Sequence, residues 1–477
     1  MRGIISHGAY LPYRRLDRST IAAVAGTGGG KGTRTVASYD EDTTTLGVEA
    51  ARRALRATDT RPAAVWFSTV TPAYVDKTNA TAIHAALRLD DDVIAADFAG
   101  AVRSGVAALR SALAGGPAAL LVSADVRTGL PGSADEAAGG DAGAALLVGD
   151  ETDGTVIAQF MGAGSVTDEF LDRWRTPGDT RSKQWEEKFG ETRYVPLAVA
   201  AFRAALADAG IEADQVNRLV VASTHARAAK AAIKKLGVDA ATVTDDLAGT
   251  VGNPGAAQPA LLLSAALEQA GPGEVVVLLS LADGADAIVW RTTDAISTHT
   301  VADPVAGQVA GGAPVPYGKF LAWRGMITPE PPRRPEPARP SASAAGRSED
   351  WKFGFVGTRD RTSGALHLPP ARVSRDGGAV DDMEPAPMAE VGGTIVTFTI
   401  DKLVYSPSPP VVFAIVDFDG GGRAPIELTD VDPADVAIGG RVEMTFRRLF
   451  TADGIHNYFW KARPVRAAAT TDMTSEA

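Results

Sequence analysis

Two stretches of this chain repeat each other, and the repeat constrains the fold more than any composition does. VRSGVAALRSALAGGPAALLVSAD ends at Asp125, and GAAQPALLLSAALEQAGPGEVVVLLSLAD ends at Asp283. Each reads as a helix, a Gly-Pro turn and a buried strand closing in Ala-Asp, and the offset is 158 residues. A second pair, VWFSTV and LVVASTH, aligns Ser68 with Ser223 at an offset of 155. A repeat this long predicts two similar α/β halves rather than a solenoid.

The rest of the first ~300 residues alternates strand and helix signals, as an α/β domain does. Apolar runs at 64–70, 118–126, 144–150, 218–223 and 274–284 read as buried strands. Helical patterns lie between them at 45–57, 196–210 and 259–271.

The grammar changes at PEPPRRPEPARPSASAAGRSED (329–350), which predicts a semi-extended linker. After it, GGTIVTFTIDKLVYS, PPVVFAIVDFDGG, APIELTDV and RVEMTFRRLFTADG alternate apolar and polar residues between Gly, Pro and Asp turns. That predicts a small β-barrel. The expected division is 1–328 for the α/β domain (halves about 1–165 and 166–328), 329–350 for the linker, 351–390 for an intervening segment and 391–466 for the barrel. The polar residues 467–477 read as a disordered tail.

Composition excludes several classes. A formal charge of −11 argues against general nucleic-acid binding. No apolar run approaches the ~20 residues of a membrane span, and MRGIISHGAYLPYRRLDRS lacks the apolar core of a signal peptide. The expected compartment is the cytoplasm. The chain has no cysteine, which removes disulfides, thiolate metal sites and cysteine nucleophiles.

Four stretches bear on chemistry. GTGGGKGT (26–33) mimics a phosphate-binding loop, but Gly32 follows Lys31 where that loop needs Ser or Thr, so it reads as a surface turn. In STHARAAKAAIKKLG (223–237), His225 sits at the carboxyl tip of a strand, where α/β folds gather ligands. There it serves as general base or oxyanion donor, or as a surface His. Lys230 and Lys234 follow on one helix face, spaced to hold a phosphate-bearing cofactor or simply solvated. In VGNPGAAQPALLL (251–263), Asn253 either caps a helix or donates into a shared pocket. In DFAGAVRSGVAAL (97–109), a strand, a tight turn and a helix N-terminus would present a reactive side chain, yet the residue there is Val102.

Together these segments resemble the thiolase superfamily, in the branch of 3-hydroxy-3-methylglutaryl-CoA synthase and ketoacyl-ACP synthase III. SYDEDTTTLGVEAARRAL (38–55) is similar to the synthase segment DEDxxTxxxEAARxAL, and GGDAGAALLVG (139–149) to its GDGAAAxLVG strand. The resemblance covers about residues 1–325 and implies a duplicated, five-layered αβαβα fold. It implies catalytic roles for His225 and Asn253, CoA contacts for Lys230 and Lys234, and a homodimer.

The sequence departs from this family where its nucleophilic Cys belongs, at Val102. STVTPAYVDKTNA (68–80) also lacks the family's Glu. A valine offers no nucleophilic atom, so an acyl-enzyme at 102 is excluded. Tyr74, Asp97 and His225 itself are then the candidate bases.

The C-terminal region resembles the OB-fold proteins that associate with thiolase-like enzymes and usually carry a zinc ribbon. Here Asp360, Ser363, Ser374 and Gly377 stand at the four ligand positions. Asp with two Ser is a poor zinc set, so no metal is expected.

The implied substrate is a coenzyme A thioester. Two functions fit. One is C–C bond making or breaking without an acyl-cysteine, of (retro-)aldol type on a β-hydroxyacyl-CoA, with direct acyl transfer as a variant. The other is a non-catalytic acyl-CoA-binding or partner subunit of a thiolase-like complex.

Overall fold

A computed structural model describes residues 1–466; the tail expected at 467–477 lies outside the described residues. The chain forms two compact units. The first comprises Met1–Ala37, Asp42–Thr81 and Asp91–Met326; the second comprises Ser38–Glu41, Ala82–Asp90 and the described residues from Ile327 to Arg466.

The first unit is a mixed α/β thiolase-like fold around nine strands: β1 (Arg2–Tyr10), β2 (Ala64–Thr69), β3 (Ile94–Ala99), β4 (Ala119–Asp125), β5 (Ala142–Asp150), β6 (Ala158–Thr167), β7 (Arg218–Ser223), β8 (Val275–Leu281) and β9 (Gly284–Thr292). Their order is β7-β8-β9-β6-β1-β5-β4-β2-β3. The duplication is explicit in this order. In the first half β1 runs antiparallel to β5, β5 antiparallel to β4, and β4 parallel to β2. In the second half β6, β9, β8 and β7 repeat the same directions. The halves join where β1 and β6 pair, at Gly3–Gln159 and Ile4–Ala158. The counterpart of β3 has shrunk to one parallel bridge, Leu219 to Val243.

The helices follow the same repeat: α1 (Thr43–Arg56), α3 (Ser104–Leu113), α4 (Glu187–Ala209), α5 (Ala226–Ile233) and α6 (Gln258–Leu267); α2 (Ala80–Leu87) begins in the first unit and passes into the second at Ala82. α3 and α6 pack between the two half-sheets, with Val106, Leu109, Leu262 and Leu263 in the shared core. All seven residues of β4 and of β8 are buried, which is why both read as unbroken apolar runs. α1 starts at a capping box. The Asp42 carboxylate accepts from the Thr45 N–H at 3.0 Å, and the Thr45 hydroxyl accepts from the Asp42 N–H at 2.9 Å. It lies so close to β1 that a Cβ on Gly8 would stand 2.5 Å from the Ala54 nitrogen. α4 and α5 cover the outer face of the second half, burying Phe202, Leu206 and Ala228.

The second unit holds a closed barrel of β10 (Gly393–Asp401), β11 (Val411–Phe418), β12 (Arg423–Leu428), β13 (Arg441–Ala452) and β14 (Ile455–Pro464), in the order β10-β11-β12-β14-β13. Fully buried charges are paired within it: Lys461 lies 3.0 Å from Asp40, and Arg447 lies 2.9 Å from Asp430 and 3.2 Å from Glu41. The expected linker is not extended throughout. Ala342–Arg347 is a helix whose N-cap, Ser341, accepts from the Ala344 N–H at 3.3 Å; three alanines in a row of six favour it.

The segment before the barrel folds on Val356–Asp360, paired to Leu366–His367 and Met383–Pro387. Asp360 accepts from Ser363 Oγ at 2.6 Å and from the Thr362 N–H at 2.8 Å. Hydrogen bonds from Ser363, Ser374 and Thr362 hold its carboxyl well below the usual carboxylate range. Three of the four positions expected to resemble metal ligands are thus joined by hydrogen bonds. Among the described residues, no group of three or more His, Cys, Asp or Glu is placed to hold a metal. No helix among them is long and apolar enough to cross a membrane.

Candidate functional site

His225 caps α5. Its Nδ1 accepts the Ala228 N–H at 3.0 Å, so Nδ1 carries no proton and the neutral ring holds its proton on Nε2. That Nε2–H donates to the Glu187 carbonyl at 3.0 Å. The imidazole edge faces Tyr194, with centroids 6.0 Å apart. In this tautomer Nε2 is the donor of the ring and Nδ1 its acceptor.

Asn253 sits in the tight turn leading to α6. Gly252, at φ 84°, brings this turn against Gly139, where a Cβ would stand 2.2 Å from the Gly139 oxygen. The Asn253 amide is fully engaged. Nδ2 donates to the Ser223 carbonyl at 2.7 Å and to Gln258 Oε1 at 2.9 Å, and Oδ1 accepts from the Gly255 N–H at 2.9 Å. Asn253 is not the N-cap of α6, whose N-cap is Ala257; its side chain instead closes its own turn and ties it to the end of β7 just before His225.

His225 and Asn253 share the lining of a cavity of ≈ 160 Å³. Its walls come from 134–139, from 172–187 and from the His225 and Asn253 turns. Backbone pairing locks the first wall to the last: the Gly140 N–H donates to the Asn253 carbonyl at 3.1 Å and the Asn253 N–H to Ala138 at 2.9 Å.

The cavity also holds charged residues that sequence reasoning missed. Arg173 pairs with Asp135 at 2.6 Å and Arg227 with Glu191 at 2.5 Å. Arg127 lines the cavity, and its guanidinium makes no hydrogen bond among the described residues. Asp172 is 6 % exposed. Burial raises its carboxyl above the ordinary aspartate range, with His225 and Arg173 opposing. Gly190 in α4 makes room for this pair, since a Cβ there would lie 2.4 Å from Asp172 Oδ1 and 2.6 Å from His225 Nε2. Residues 126–140 and 160–195 carry no motif, so only proximity reveals these groups.

Lys230 and Lys234 are exposed, outside the cavity. With Arg227 they fall at i, i+3 and i+7, one stripe leading from the cavity along α5. Tyr74 and Asp97 do not line the cavity. Asp97 instead starts α2, accepting from the Ala80 and Asn79 N–H groups at 2.8 and 2.7 Å. Val102 is half-buried beyond the cavity lining, in the turn before α3. Its neighbour Arg103 reaches the second half, with Nε 2.8 Å from Asp286 and Nη1 2.9 Å from the Asp283 carbonyl. The glycine-rich stretch 26–33 is a mostly exposed turn.

Comparisons with known proteins agree with this architecture. Residues 206–291 match the C-terminal model of 3-oxoacyl-[acyl-carrier-protein] synthase III, and 387–447 match the C-terminal OB-fold domain of ChsH2. The chain is 31% identical over 306 residues to the hydroxymethylglutaryl-CoA synthase of Pyrococcus horikoshii, covering 62% of this chain and 87% of that one. Two solved structures share the fold. A hydroxymethylglutaryl-CoA synthase complexed with CoA superposes with a TM-score of 0.59 at 16% identity, covering 67% of this chain and 89% of that one. MvaS with 3-hydroxy-3-methylglutaryl coenzyme A gives 0.58 at 21%, covering 81% and 99%.

Proposed function

Because the chain belongs to the hydroxymethylglutaryl-CoA synthase family of the thiolase superfamily, with an OB-fold domain appended, we propose that it acts on a coenzyme A thioester. In this reading it makes or breaks a C–C bond beside the thioester carbonyl without an acyl-cysteine. The carrying observation is the arrangement around His225. A cavity opens at a strand's carboxyl end, and a stripe of three cations, Arg227, Lys230 and Lys234, leads away from it. The stripe suits the phosphates of CoA, and the cavity suits the acyl end.

Val102 rules out acyl transfer through a thiol, so the chemistry must pass through proton transfer and oxyanion stabilisation. Retro-aldol cleavage of a β-hydroxyacyl-CoA, or its reverse, needs only these two. His225 Nε2–H is the oxyanion donor of this reading. A thioester oxygen would take the hydrogen bond now given to the Glu187 carbonyl. Asn253 supports it by fixing Ser223.

The second reading, a non-catalytic acyl-CoA-binding or partner subunit, has one observation in its favour: every polar atom of the His225 ring and the Asn253 amide already has a partner within the chain. A homodimer belongs to the proposal as well. β3 is an edge strand, with Ile94 65% exposed, open to a second copy.

One experiment separates the readings. The purified chain is incubated with a panel of β-hydroxyacyl-CoAs, and release of the shortened acyl-CoA is followed by mass spectrometry. Turnover is expected. Binding of the thioesters without turnover of any of them would establish the binding-subunit reading. The Lys230→Ala/Lys234→Ala double variant should weaken CoA binding on the order of 10-fold, less at high salt, as two exposed charges allow.

A further inference from the structure

The charged groups of the cavity divide sharply into engaged and free. Arg173 and Arg227 have carboxylate partners, and His225 and Asn253 have their polar atoms saturated. Three groups make no side-chain hydrogen bond among the described residues: the exposed Glu187 carboxylate, the Arg127 guanidinium, which feels Asp125 and Asp135, and the Asp172 carboxylate, the one of the three that belongs to a residue only 6 % exposed.

Asp172 as a residue is 6 % exposed and its carboxylate opens on the cavity, and carboxylates whose ionisation is perturbed in this way cluster where chemistry needs them. Asp172 is also held against the proposed oxyanion donor. Its Oδ1 and His225 Nε2 both lie within 2.6 Å of the point where a Gly190 Cβ would stand, hence within about 5 Å of each other. A thioester whose oxygen meets His225 therefore brings its acyl carbons to Asp172.

We propose that Asp172 is the catalytic base of this site, taking the place of the family's missing groups, with Arg127 as the cation that balances the developing negative charge. This rests on the thioester reading above. In the cleavage direction the Asp172 carboxylate removes the β-hydroxyl proton. The Cα–Cβ bond breaks, its electron pair passes into the thioester enolate, and the β-carbon becomes a carbonyl. The proton held on Asp172 then moves to the α-carbon. One β-hydroxyacyl-CoA gives one carbonyl compound and one shorter acyl-CoA, with no oxidant or reductant, and the carboxylate is restored.

The groups facing Asp172 are His225 at the start of α5, its neighbour Arg173, Tyr194 on α4 and Asp283 after β8. Burial, the largest influence, raises the carboxyl. The folded state thus binds this proton more tightly than the unfolded chain. Stability falls as pH rises from the ordinary aspartate value through the raised one, while the base gains activity over the same window. Asp172→Asn escapes that loss, so it should be as stable as the wild type at neutral pH, or more so.

The test is the partial reaction that needs only a base and an oxyanion donor: exchange of the α-hydrogens of propionyl-CoA in D2O, followed by mass spectrometry. The full chain should catalyse exchange. Asp172→Asn should slow it by on the order of 10²-fold or more, with propionyl-CoA affinity and unfolding temperature retained. Asp172→Glu should restore part of the rate with a shifted pH profile. The wild-type rate should rise with pH as a single ionisation, a readout that needs no variant to fold. Wild-type exchange by Asp172→Asn, or a flat pH profile, would overturn the assignment and leave the thioester reading intact. A wild-type chain that binds propionyl-CoA but exchanges nothing would overturn both.

Discussion

At one position of the repeat the first half carries Asp125 and the second Asp283, and the two aspartates have opposite duties. Asp125 is fully buried at the end of β4. It accepts from Thr69 Oγ1 and the Val70 N–H at 2.8 Å, from Thr71 Oγ1 at 3.2 Å, and from the Ala256 N–H at 2.7 Å. That last bond crosses from the first half to the turn opening α6. Asp283 is exposed, at φ 47°, and contributes its backbone: its carbonyl accepts from Arg103 and its N–H donates to the Tyr194 hydroxyl at 3.2 Å. The halves are therefore stitched by a side chain in one direction and by a main chain in the other. Duplication supplied two equivalent strand ends, and each half then kept different chemistry there.

The sharpest way to break this comparison is to truncate both aspartates. Asp125→Ala leaves two buried backbone N–H groups and two threonine hydroxyls without their acceptor. Its unfolding free energy should fall by about 3 kcal/mol or more. Asp283→Ala removes no hydrogen bond, so its loss should stay near about 1 kcal/mol, mostly from placing Ala at positive φ. Equal losses in urea unfolding would show that the two strand ends do the same work.

The turns that follow the repeat differ in the same sense. Asn253 joins Ser223, Gln258 and Gly255 in the second half, while Val102 in the first offers no polar atom. Asn253→Ala should cost about 1–2 kcal/mol through the three side-chain hydrogen bonds it loses. It should also slow any thioester reaction, because Ser223 positions the His225 turn. Normal kinetics with that loss of stability would confine Asn253 to structure.

Much of this was legible before folding. The repeat predicted the duplication, and the runs at 118–126 and 274–284 became β4 and β8. Such strands are buried on both faces and leave a continuous apolar signature. Of β3 only the end was read, at Asp97, because Ile94–Ala99 is an edge strand with little burial and carries no such run. The polar turns named His225 and Asn253, whose residue types are diagnostic at strand and helix ends. Asp172 and Arg127, which line the same cavity, carry no such signal. An aspartate in a loop without a motif is indistinguishable from dozens of solvated carboxylates until the fold buries it beside a histidine. Tyr74 and Asp97 show the converse. Both lie near the right turns in sequence, yet Asp97 faces the start of a helix rather than the cavity.

The smallest structural effect belongs to the substitution that best sharpens the comparison, Val102→Cys. The side chain is half-buried and the thiol is of similar size, so stability should change by no more than about 1 kcal/mol. The thiol would stand one residue before Arg103 at the N-terminus of α3, where the helix dipole favours a thiolate. It would lack the usual base, since His225 Nδ1 is occupied by the Ala228 N–H and Nε2 already holds a proton. Acetyl-CoA should therefore acylate it slowly, at a rate that rises with pH as the thiol ionises by itself. The wild type has no cysteine, so an intact-mass shift reports position 102 alone. Fast acylation at neutral pH would mean that His225 leaves its cap to serve as a base, making the two turns one site. No adduct at any pH would mean that the thioester does not reach the first-half turn, leaving the chemistry to the second half and to Asp172.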